Sequence, residues 1–187
     1  MGRWEPDARG RMAQAALELY LDPGYEQTTV ADIAERAGVT ERTFFRHFAD
    51  KREVLFSGSE QFQQVVLAAI AAAPESTSPL DAAAAGLDAA ATALQNQPDP
   101  TFPRRRAAVI AANPSLQERE LLKMATLATA SAQALVARGV EPGEAAIAAE
   151  AAGAAFRLAF ERWTGSDEPL DLRALLADGI ARFRALA

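Results

Sequence analysis

Apolar residues return every three or four positions along most of the chain, and no useful stretch alternates with a period of two. This spacing predicts helices and argues against a sheet. The first helix is expected from about Asp7 to Leu21, with Met12, Ala16, Leu17, Leu19 and Tyr20 making a broad apolar face; Asp22-Pro23-Gly24 should end it. Thr29 and Asp32 have the spacing of a capping box, which starts a short helix to about Arg36 or Ala37. Gly38 then suits a left-handed corner. A third helix opens at Thr40, whose hydroxyl can cap the amide of Thr43, while Val39 and Phe44 occupy staple positions. It should end near His47 or Phe48. Asp50 to Glu53 reads as a second capping box, from which a fourth helix is expected to run to Ala72.

Two short helices separated by so tight a corner, with a third before them, form a helix-turn-helix module. Further helical patterns cover residues 80–94, 104–112, 115–137, 142–163 and 170–186, with loops at 74–79 and 96–103. The expected fold is all-α: a three-helix module over residues 1–53, joined through the fourth helix to a larger helical body over residues 54–187 that binds an effector and dimerises.

Composition narrows the chemistry. There is no cysteine and one histidine, His47, which excludes disulfides, thiol catalysis and Cys/His zinc sites. No phosphate-binding glycine loop, nucleophile elbow or dinucleotide fingerprint is present, so neither a cofactor nor an enzyme activity is expected. No window resembles a membrane span, and the first residues lack the apolar run of a secretory signal; a cytoplasmic protein without membrane association is expected.

The formal net charge of -6 weighs against nucleic acid, but its distribution matters more. Residues 1–56 hold 8 Lys/Arg and 10 Asp/Glu, and the positive residues gather at Arg3, Arg9 and Arg11, then at Arg42, Arg46, Lys51 and Arg52. A locally basic face on an acidic body suffices for DNA. Phe44 and Phe48, four apart, should anchor the third helix from behind, leaving Glu41, Arg42, Phe45 and Arg46 on its outward and lateral faces. Arginine can donate twice to guanine, glutamate can accept from cytosine, and a phenyl ring can meet a thymine methyl. Thr29, Thr40, Thr43, His47 and Lys51 lie near helix ends, where they can meet phosphates. Arg3, Arg9 and Arg11 could form a minor-groove arm. The competing readings are a helical partner-binding protein without DNA affinity and an enzyme on a helical scaffold.

The segment TTVADIAERAGVTERTFFRHFADKREVLF, residues 28–56, closely resembles the DNA-binding domain of the TetR family of transcriptional regulators, and AALELYLDPGYEQ, residues 15–27, is similar to the end of that family's first helix. The resemblance covers about a quarter of the chain. It implies a homodimer, most often a repressor, that binds a palindromic operator in double-stranded DNA and is released by a small-molecule effector. By position it implies that Thr40 and His47 touch phosphates, that Lys51 clamps the start of the fourth helix, and that Arg42 and Arg46 lie on the recognition helix. Phe45 departs from the family's usual tyrosine, and Arg42 from its usual small residue.

In the body, alanines 145, 146, 148, 149, 152, 154 and 155, with Phe156, Phe160 and Trp163, are expected to join residues 172–186 in a dimer surface. Phe62, Phe102, Met124, Leu127 and Phe156 are candidates for lining an effector cavity, and Arg104, Arg105 and Arg106 for meeting an acidic head group.

Overall fold

The computed structural model describes residues 8–186, and these form two packed units: residues 8–59 with 105–120, and residues 60–104 with 121–186. Arg3 and the expected helix start at Asp7 lie outside the described residues. Among the described residues the regular structure is helical throughout.

The first unit opens with α1, Ala8–Leu19, whose buried side includes Met12, Ala16 and Leu17. A widened π-type turn, Tyr20–Gly24, follows it. Pro23 cannot donate a helical hydrogen bond there, and the buried Thr28 hydroxyl serves the loosened end by donating toward the carbonyls of Gly24 (2.8 Å) and Leu19 (3.3 Å). α2, Val30–Arg36, begins at the complete Thr29–Asp32 capping box. It ends where the amide of Val39 donates to Ala34 and that of Gly38 to Glu35, with Gly38 at φ 68°. No neighbouring atom crowds Gly38, so the left-handed backbone alone favours glycine. α3, Glu41–His47, starts as expected at Thr40, whose hydroxyl accepts from the Thr43 amide at 3.1 Å. Phe44 and Phe48 are buried with Ile33 and Leu19.

The expected continuous fourth helix from Asp50 is not formed. Asp50 accepts from the amides of Arg52 (2.8 Å) and Glu53 (3.2 Å), but a single 3-10 turn, Glu53–Phe56, follows, and α4 runs only from Ser59 to Ala72. The Glu53 carboxylate pairs with Arg119. Val54, Leu55 and Phe56 are all buried, which three consecutive residues of an amphipathic helix would not be.

The stretch 105–120, expected in the body, packs with this first unit. It contains most of α6, Phe102–Ala112, and the start of α7, Pro114–Ala137. Arg106 donates to the Leu55 carbonyl at 2.7 Å, holds Glu120 through both terminal nitrogens, and lies 5.0 Å from the centre of the Phe56 ring.

In the second unit, α5 (Pro79–Gln95), α8 (Pro142–Gly165) and α9 (Leu172–Leu186) pack around Val66, Ile70, Leu87, Leu135, Phe156 and Leu176. Gly86 lets α5 close on α4: a Cβ there would lie 2.9 Å from the Val66 carbonyl. Asp88 pairs with Arg173, and Asp81 with Arg184, so charges tie α5 to both ends of α9. The alanine-rich face of α8 is used differently from the sequence expectation. Ala145, Ala148, Ala152, Ala155 and Phe156 are buried within the unit's own core, against which Phe160 and Trp163 also pack. Short side chains let α8 and α9 approach closely, as where a Cβ at Gly179 would lie 3.3 Å from that of Ala155.

Candidate nucleic-acid interface

Recognition needs an exposed polar face on a helix that cannot move. α3 is held from behind by Phe44, fully buried, whose ring meets Phe45 edge-on at 5.5 Å and Phe48 at the same distance. The front of the helix presents Arg42, Thr43, Phe45 and Arg46, which together line one open depression. Phe45 is 56% exposed, and Glu41, Arg42 and Arg46 are exposed beside it.

The arginines of the first unit separate by use. Arg9 lies over the Phe48 ring at 5.5 Å, Arg11 donates to the Ala37 carbonyl at the end of α2, Arg36 pairs with Glu18, and Arg52 pairs with Asp50. Arg106 and Arg119 hold the 53–56 turn, and Arg105 is also engaged. Arg42 and Arg46 have no hydrogen-bond or ion-pair partner among the described residues. Two guanidinium groups left free on one helical face are available to an outside acceptor.

Other expected contacts are arranged differently. Arg9 and Arg11 are packed into the module rather than extended as an arm. Thr29 is exposed, but its hydroxyl donates to Asp32 at 2.7 Å while accepting from the Asp32 amide, so it is committed to the cap. The Thr40 and Thr43 hydroxyls lie 3.0 Å apart at the start of α3. His47 is half-buried; its Nε2 is enclosed without a protein partner, so phosphate contact through that nitrogen requires the ring to turn.

Lys51 differs most from expectation. Its ammonium donates to the carbonyls of Tyr25 (2.7 Å) and Thr28 (3.0 Å), reaches that of Glu26 at 3.5 Å, and stands 4.3 Å from the centre of the Tyr25 ring. Its own carbonyl accepts from the Tyr20 hydroxyl at 2.6 Å. Burial pushes the Tyr20 and Tyr25 hydroxyls above their ordinary pKa, so both stay neutral beside this cation. Lys51 therefore pins the 25–28 corner, with its donors turned inward. The sequence pattern did not single out Tyr25, and it gave Tyr20 and Arg11 other roles, because their partners lie 26 or more positions away and are backbone atoms.

Comparison with known proteins bears on this module first. Residues 13–57 match the family described as bacterial regulatory proteins, tetR family. The regulator TcmR of Streptomyces glaucescens is 46% identical over 74 residues, covering 40% of this chain and 33% of TcmR. The helix-turn-helix module is of the tetR family. Among other relatives, the transcriptional activator FasR of Mycolicibacterium smegmatis is 38% identical over 48 residues, 26% of this chain and 22% of FasR. These matches span a third or less of the curated relatives' length. Over nearly the whole TetR-family fold, the chain is similar to SmeT in its triclosan complex, with a TM-score of 0.65 and 20% identity, covering 94% of this chain and 90% of SmeT. SmeT is described as the repressor of the Stenotrophomonas maltophilia multidrug efflux pump SmeDEF. At that identity the likeness establishes the fold.

Proposed function

We propose that this TetR-family chain is a sequence-specific DNA-binding transcriptional regulator, acting as a homodimeric repressor that a small molecule releases from a palindromic operator. The observation that carries the reading is the pair of partnerless arginines, Arg42 and Arg46, flanking exposed Phe45 on a helix anchored by Phe44. Arg42, Arg46, Phe45 and Glu41 face base edges in the major groove; Thr29, Thr40, Thr43 and His47 lie at helix ends where phosphates pass. Lys51 positions this surface by fixing the corner behind it. The role is binding rather than catalysis, and the setting is the cytoplasm. No helix among the described residues is long and apolar enough to cross a membrane.

Two copies are needed for a palindrome, their recognition helices about 34 Å apart. Support for the dimer comes from apolar residues that the body leaves outside its core: Ile147, 71% exposed, and Leu158, 58% exposed, three turns apart on α8, with Phe183 and Leu186 on α9. For the effector, the row Phe62, Phe156, Phe160 and Trp163, with successive ring separations of 5.7, 6.0 and 5.8 Å, favours an apolar aromatic molecule. Triclosan, the ligand of the SmeT complex, has that character. Arg106 is committed to Leu55, Glu120 and Phe56, which argues against an acidic head group there.

Fluorescence anisotropy with duplexes from the region upstream of the protein's own gene tests the reading. Tight binding to one segment, weakened by salt and reversed by aromatic compounds that bind the body, is the expected result. Equal affinity for every duplex would instead support a helical partner-binding protein.

A further inference from the structure

Phe45 is the large apolar group that α3 holds outward. The ring meets the buried Phe44 ring edge-on, with an interplanar angle of 83°, while more than half of its surface remains open. It shares its depression with Arg42, three residues before it, and Arg46, immediately after it. A phenyl ring has no hydroxyl with which to hold a phosphate or a base edge. What it can add between two arginines is a contact with the apolar feature of the major groove, the thymine C5 methyl.

We propose that Phe45 is a specificity-determining reader of a C5-methylpyrimidine, placed between guanines read by Arg42 and Arg46. The proposal rests on the DNA-binding reading above. Spacing defines the half-site further: four residues along a helix advance about 6 Å, and bases on one strand are spaced about 3.4 Å. The two guanines therefore lie about two base steps apart, with the methylated pyrimidine between or beside them. The cognate base is thymine, and 5-methylcytosine presents the same methyl group.

The full chain would first be used to select duplexes from a randomised pool. Each thymine of the enriched sequence would then be replaced by deoxyuridine, which removes the methyl and keeps the pairing. Loss of one buried methyl-sized contact predicts an affinity drop of about four-fold at one position in each half-site, and about fifteen-fold when both are changed. At that same position 5-methylcytosine should bind about four-fold better than cytosine. Phe45→Ala, checked for native helicity by circular dichroism, should bind thymine and deoxyuridine duplexes equally while retaining its preference for the guanines. A specific duplex that is indifferent to deoxyuridine at every position overturns the methyl-reading role and leaves DNA binding intact. Failure to enrich any duplex overturns the DNA-binding reading and this proposal with it.

Discussion

Lys51 illustrates how a residue's surroundings alter the role its charge implies. A lysine near a helix start is a natural phosphate clamp, but here its ammonium serves the Tyr25 and Thr28 carbonyls. Lys51→Ala should therefore cost about 1.5–3 kcal/mol of stability in the first unit, the range for hydrogen bonds to a charged group, read by urea unfolding without DNA. An unchanged midpoint would return Lys51 to the phosphate-clamp role. Acid sensitivity is also set residue by residue. The Thr29 hydroxyl and amide hold the Asp32 carboxyl below its ordinary pKa. At Asp50 burial pushes upward, but hydrogen bonds from the Arg52 side chain and from the Glu53 and Arg52 amides outweigh it, and the carboxyl is again lowered. For both, the unfolded chain takes up protons first as pH falls. The stability they contribute is complete above the unfolded pKa and is lost as pH drops through the lower folded value. Unfolding midpoints measured from about pH 6 to pH 3 should fall less steeply in Asp32→Asn and Asp50→Asn than in the parent. Parallel curves would contradict the assignment. Thr29, Gly38, Thr40, Phe44 and Phe48 were legible in the sequence because each role depends on residues within a few positions. Lys51, Arg9 and Arg11 were not, because a free cation and one satisfied by distant carbonyls or a ring look the same along a chain.

Among elements, α2 and α3 were legible because a capping box, a threonine N-cap and a left-handed glycine are local chemistry. The 50–58 stretch was misread for the opposite reason. Asp50 caps as its spacing promises, yet Glu53 is claimed by Arg119, 66 residues later, and the chain makes one 3-10 turn before α4 starts at Ser59. The continuous fourth helix expected from Asp50 is thereby excluded. What holds this turn is the corner of α6 and α7, chiefly Arg106 on the Leu55 carbonyl, Glu120 and Phe56. Arg106→Ala should destabilise the first unit by about 2 kcal/mol, since it leaves a half-buried carboxylate and a carbonyl without their cation. Chemical denaturation followed by helical ellipticity reads the loss, and Arg106→Lys should recover only part of it, because an ammonium cannot grip Glu120 with two parallel bonds. Full recovery by lysine would mean that charge alone mattered.

At the scale of the whole molecule, the sequence pattern located the body's helices but not which alanines face which way. α8 carries alanine on several sides, so periodicity could not distinguish a dimer seam from an internal one. Ala145, Ala148, Ala152 and Ala155 line the internal seam, and the outward stripe belongs to Ile147 and Leu158. A charge on that stripe should break the proposed dimer while sparing the fold: Ile147→Glu with Leu158→Glu is expected to raise the dissociation constant of that dimer at least about tenfold. Sedimentation equilibrium would show this, and an unchanged dimer would move the interface elsewhere.

The central claim, that Arg42 and Arg46 read bases from the front of α3, is tested most directly by competition between an operator duplex and its scrambled counterpart at one salt concentration. The intact protein should prefer the operator by about a thousandfold or more. Arg42→Ala with Arg46→Ala should lose about 1–3 kcal/mol of that preference for each base contact removed, with a smaller change in affinity for the scrambled duplex. A double variant that discriminates as well as the parent, or a parent that does not discriminate, would contradict the account.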